Sequence, residues 1–195
     1  MKAWHGEASL KASAMERMRE HRRLDEIIRG DGYWSEYGHR GCQLGCLTHT
    51  GVWHNKLDEH RPHRETERQF GIPATVARLL EHCFENLPVE DAADWAVDSL
   101  EAIPVGADLT TIQERMMEWA QETDPTITFM CGGPIAKLVE CAIVARIHRN
   151  LDIRDVANHV LHLLRTSPIE LDAPITPARE KSTTSASPVT AGRPA

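Results

Sequence analysis

Apolar residues in this chain recur every three or four positions over most of its length. They nowhere alternate through a run long enough for a convincing strand, so the sequence predicts an all-α fold. Leu10, Ala14, Met18, Leu24 and Ile28 predict a first helix, ended by Gly30 and Gly32. A clear helix follows Pro73, a residue suited to a first helical turn, with Val76, Leu79, Leu80, Cys83, Phe84 and Leu87 on one stripe. The next runs from Val89 through Ala92, Ala96 and Leu100 to Ile103, closed by Pro104 and Gly106. Asp108 is placed to cap a helix with Leu109, Ile112, Met116 and Trp119 inward. Pro134 opens another, and Asp152 caps the last, through Val156, Val160 and Leu164. The expectation is an irregular bundle of about six or seven helices. Residues 126–130 (TITFM) are the only short β-like run and read as an extended connector. After Pro168 the composition shifts to Ser, Thr, Pro and Ala without core residues, which divides the chain into a helical domain, 1–168, and a disordered tail, 169–195.

With 195 residues, 41% hydrophobic, one domain can bury a sizeable core without a metal or disulfides to hold it. A net charge of -7 argues against general nucleic-acid binding, which needs clustered positive charge. The arginines between positions 17 and 23 are interleaved with Glu16, Glu20, Asp25 and Glu26 and read as a solvated helix face. No apolar run is long enough for a signal peptide or a membrane helix, so a cytoplasmic protein is expected. In a reducing compartment five cysteines are metal ligands, redox groups or core fillers before they are disulfides.

The helical pattern dissolves between Tyr33 and Lys56, and residues 38–56 form a glycine-rich loop with room for short helical turns. Within it Cys42, Cys46, His49 and His54 read C-x3-C-x2-H-x4-H. Thiolate and imidazole are the ligands zinc prefers, and four of them close a tetrahedral structural site. A gap of three places Cys42 and Cys46 one turn apart on a helix, with His49 continuing the face. In a loop, Gly41 and Gly45 would let the backbone wrap the ion. The spacing is not that of a standard zinc finger. Iron or an iron–sulfur cluster with mixed Cys and His ligation is the alternative to zinc, and a metal-free glycine loop is the bland one.

Several motifs occur in the order of an uncharacterised family of bacterial proteins: DGYW at 31–34, GCQLGCLTH at 41–49, ETE with GIP at 65–73, and EAIPVGADL at 101–109. The chain resembles that family from about His5 to Trp119 (GYW, GCxxGCxxH and EAIPVGADL being the shared signatures). The resemblance implies a role for His5, His21, Asp25 and Glu26 as well as for the cysteine segment, and it implies no activity. Between His54 and Glu65 the sequence departs from the pattern with extra residues that include His60 and His63.

His21 lies on the apolar stripe of the first helix with Asp25 one turn later, a spacing that lets imidazole donate to carboxylate. Glu65 and Glu67 are candidates for a fifth ligand or a base, and also for ordinary helix ends. His60 or His63 could replace His54 as a ligand. Cys131 starts a helix, where a thiol can be activated, but no base is identifiable beside it. Cys83 and Cys141 read as core, His159 and His162 as a helix face, and Trp34 and Trp53 as anchors of the loop. Three functions follow: a binding or adaptor module with a closed structural metal site, a metalloenzyme with an open position, or a redox sensor using iron–sulfur or a Cys42–Cys46 disulfide.

Overall fold

The computed structural model describes residues 1–30, 34–35, 39–49, 61–123 and 152–169. Among them are seven α-helices: α1 (Ala8–Arg23), α2 (Gln43–Thr48), α3 (Arg61–Phe70), α4 (Ala74–Asn86), α5 (Val89–Glu101), α6 (Ile112–Thr123) and α7 (Ile153–Arg165). The only strands among the described residues are β1 (Trp34–Ser35) and β2 (Arg40–Gly41), an antiparallel pair two residues long. The fold is an irregular all-α bundle. The expected helix after Pro134, residues 126–130, Cys131, Cys141, His54, His60, Trp53 and the tail after position 169 lie outside the described residues.

Helix α1 is shorter than its apolar spacing predicts. It stops at Arg23, Asp25 takes a left-handed conformation (φ 54°), and Glu26 N–H donates to His21 O. The chain beyond then runs beside β2, with Gly41 N–H donating to Glu26 O and Ile28 N–H to Gly41 O. Ile27 is therefore buried in a bridge to Gly41 and is no part of a helical stripe. Backbone pairing outcompetes a last helical turn because it satisfies the same donors while burying Ile27.

Helix α3 has no counterpart in the apolar pattern, since RPHRETERQF is almost wholly polar. It forms because Pro62, Thr66 and Phe70, at intervals of four, face inward beside His63. The Gly71-Ile72-Pro73 turn then reverses the chain into α4. Gly71 has φ 64°, and a Cβ there would stand 2.3 Å from Lys2 O, so a glycine is required on both counts.

Helix α4 packs on α3, α5, α6 and α7, and it supplies Val76, Leu80, Cys83 and Phe84 to the core. Helix α6 begins at Ile112, four residues after Asp108. The Asp108 carboxylate accepts from the Thr110 N–H and hydroxyl, so it closes a turn ahead of the helix and does not cap it. Asp152 does cap α7, accepting from Arg154 N–H. The N-terminal turn is folded into the core: Trp4 is fully buried, its indole N–H donates to Ile103 O, and its ring meets Phe70 edge-on at 5.8 Å. No helix among the described residues is long and apolar enough to cross a membrane.

Candidate metal centre

Helix α2 occupies the middle of the cysteine segment and is buried along its whole length. A helix of six residues has little stability of its own. Tertiary contacts hold it instead, on α1, α3, α4 and β2. The Gln43 amide donates to Ala96 O and Ser99 Oγ on α5, and the Arg17 guanidinium donates to Leu47 O at the C-terminal end. Residues 42–49 are thus a packed short helix with its caps and not an open loop.

The three described candidate ligands sit at the start, middle and end of this turn. Cys42 is the N-cap, Cys46 is inside the helix, and His49 is a left-handed C-cap at φ 51°. Each side chain finds a separate partner. Cys42 Sγ donates to Glu81 Oε1 at 3.8 Å, and the other oxygen of Glu81 accepts from His63 Nε2 at 2.6 Å. Cys46 Sγ donates to Gly41 O at 3.4 Å and to Glu26 O at 3.6 Å. His49 Nε2 faces His21 Nε2 at 2.9 Å, and His21 Nδ1 meets Glu26 Oε2 at 2.6 Å. Trp34 completes the arrangement, stacked on His49 at 4.5 Å and edge-on to His21 at 5.0 Å.

The protonation states follow from burial. Desolvation pushes the Cys46 thiol up to about 12, aided by the charge of Glu26. It pushes Cys42 well above the ordinary thiol value, aided by Glu81 and Glu85. Both sulfurs are therefore protonated donors in the metal-free chain, and a bound cation would displace those protons. His49 is held below its ordinary value, first by desolvation and then by Arg17 and His21, so it is neutral near pH 7. His21 Nδ1 lies against the Glu26 carboxylate and its Nε2 meets His49 Nε2, so one of these two facing nitrogens donates to the other.

Donor type and burial suit a divalent ion such as zinc: two thiols at 1% and 0% exposure, with the His49 imidazole at the end of the same short helix. Among the described residues, no three side chains of His, Cys, Asp and Glu are gathered as ligands of one ion. The candidates meet in pairs, and His54 lies outside the described residues.

One sequence reading is corrected here, and another resolves to its ordinary alternative. The partner of His21 is Glu26, not Asp25, because α1 ends before the turn that would have set Asp25 beside the ring; Asp25's side chain is 91% exposed. Glu65 is bound by Arg68 and Gln69 within α3, and Glu67 accepts from Ala74 N–H at the start of α4, so both are the ordinary helix residues the sequence also allows. His5 donates to Arg68 O on the same turn. His63, in the extra segment, is 4% exposed and paired with Glu81. Glu81 was not singled out by the sequence; its signal was a carboxylate four residues after Ala77 and three before Phe84, on the buried stripe of α4. Cys83 is core as expected, and His159 stacks on Trp119 at 4.2 Å, away from this cluster. Compared with known proteins, the chain matches no family model, no curated protein and no solved structure.

Proposed function

We propose that this is a small cytoplasmic metal-binding protein in which Cys42, Cys46, His49 and His54 hold a zinc ion, and that the ion is structural, in a binding or adaptor module. The observation that carries the reading is that three of these four residues sit on one short helix, Cys42 at its N-cap, Cys46 inside it and His49 at its C-cap. Buried soft donors at that spacing fit a closed site better than a reactive one. The ion would contribute by replacing two thiol protons with one cation and by tying α2 to the chain on either side.

Elemental analysis of protein purified without added metal tests this, with Cys42→Ala and His49→Ala alongside. The expected result is close to one zinc per chain, lost in the variants; less than about a tenth of an equivalent sinks the reading. Iron in place of zinc, visible as colour, would favour the iron–sulfur or redox alternative. Chelation separates structural from functional use: loss of helicity supports the structural role, whereas retained helicity favours a functional ion.

A second reading is a metalloenzyme or acid–base site, and the hydrogen-bonded chain Glu26–His21–His49 favours it. The chain ends on His49, the one exposed member, so a proton taken there can be stabilised by the carboxylate behind His21. Small anions such as azide would perturb the spectrum of a cobalt-substituted open site and leave a closed one unchanged.

A further inference from the structure

We infer that residues 1–6 are an exchangeable arm, and that two copies of this chain dimerise by swapping it, each seating its Trp4 in the other. The inference is independent of the metal-binding reading. The arm is held by contacts that a second copy can supply unchanged. Ala3 N–H donates to Ala107 O, and Ala3 O accepts from Gly106 N–H, both at 2.9 Å, while Lys2 bridges Asp108. Trp4 is the anchor. It is fully buried, its indole N–H donates to Ile103 O at 3.0 Å, and its ring meets Phe70 edge-on. Every one of these partners belongs to the body of the fold beyond α1, so none travels with the arm.

The closed chain is strained where the arm turns back. Three successive residues are left-handed: Trp4 at φ 57° and ψ 22°, His5 at φ 49° and ψ 20°, and Gly6 at φ 78°. In that region the Cβ of Trp4 and of His5 crowds a carbonyl oxygen, and only glycine is indifferent. The chain adopts this turn to fold the arm against the body just before α1 begins at Ala8. In an exchanged pair, residues 5–7 run extended between two bodies and span about 10 Å. His5 and Gly6 then leave the left-handed region. The bonds given up are the hinge's own, Glu7 N–H to Trp4 O and the His5 ring to Arg68 O. All others reform in the partner, so the hinge decides the balance, and a short hinge under strain favours exchange. Room for the second copy is present as well: residues 5–9 are all exposed, and Gly6, Ala8 and Ser9 among them are small.

Sedimentation equilibrium of the full chain tests this. An arm seated on its own body competes at an effective concentration in the millimolar range, so the natural chain should dimerise only toward about 1 mM. Gly6→Ala separates strain from clash: a Cβ there meets only Lys2 Cδ, at 3.9 Å, yet the position has a positive φ. It is expected to tighten the dimer at least about 25-fold, about fivefold for each of its two hinges, and His5→Gly to weaken it about as much. The contact itself is read by oxidising an equimolar mixture of Lys2→Cys chains and Asp108→Cys chains. These link to each other only when the arm of one lies on the body of the other, and a mixed cross-linked dimer is the expected product. If Gly6→Ala keeps its helicity and is still monomeric at about 1 mM, the inference fails. It fails equally if dimers form and the mixed chains do not cross-link. Should Gly6→Ala lose its helicity, His5→Val decides, since a branched side chain is excluded from the same left-handed turn; a monomer there overturns the inference.

Discussion

At the scale of single residues, the strongest constraints are positions where one atom more or less cannot be absorbed. Gly71→Ala would press a Cβ against a backbone carbonyl at a positive φ, so neither a rotamer change nor a small shift relieves it. A loss of about 2 kcal/mol or more is expected in the unfolding free energy read from urea titration, and near-neutral behaviour would show that the Gly71 turn is not held by the N-terminal segment. The half-buried pair His63–Glu81 should behave differently from the exposed pair Arg22–Asp94. Their side chains are 6% and 17% exposed in the first case, 38% and 64% in the second. Glu81→Ala is expected to cost about 2 to 3 kcal/mol, because it strips a buried imidazole of its carboxylate. A double-mutant cycle on Arg22 and Asp94 should return less than about 1 kcal/mol. Cys83 makes a pH prediction. Burial raises its thiol from 9.0 to about 12, so the unfolded chain releases this proton first as pH climbs. The stabilisation is complete below pH 9 and is lost toward pH 12, at up to about 1.4 kcal/mol per pH unit. Urea titrations of the natural chain and Cys83→Ala should converge over that window if this is right.

At the scale of elements, the sequence was most readable where a helix buries an apolar stripe and least where polar groups do the packing. The stripes of α4, α5 and α7 are continuous, and those helices lie where periodicity puts them. The buried positions of α3 include a threonine whose hydroxyl bonds Pro62 O and a histidine whose charge partner is on α4, and no hydrophobic count registers either. Helix α1 ends short of its apolar spacing, which Ile28 continues, because the pairing with Gly41 that takes over there links residues distant in sequence. The site was half legible for the same reason. Its cysteines and His49 are local in sequence, but Glu81 comes from another helix, and Glu26 reaches His21 only because α1 ends early. Arg17→Met should loosen the C-terminal end of α2 by removing the donor to Leu47 O. Faster amide exchange at Leu47 to His49, with the exchange of α4 and α5 unchanged, is the expected result.

For the whole molecule, the N-terminal turn and the end of α7 meet on the same short segment. Lys2 bridges Asp108, Ala107 bridges Ile169, and Asp108 N–H donates to Pro168 O. These contacts join residues that are far apart along the chain, whereas α3, α4 and α5 each pack on their sequence neighbour. Neighbour contacts close small loops, and distant ones must wait until most of the chain is in place. A folding molecule should therefore assemble α3–α5 first and seat Trp4 against Ile103 and Phe70 near the end. Trp4 becomes a late clock: refolding followed at that indole should lag behind the recovery of helicity, and a chain still emerging from the ribosome would hold its first tryptophan exposed until residue 107 is out.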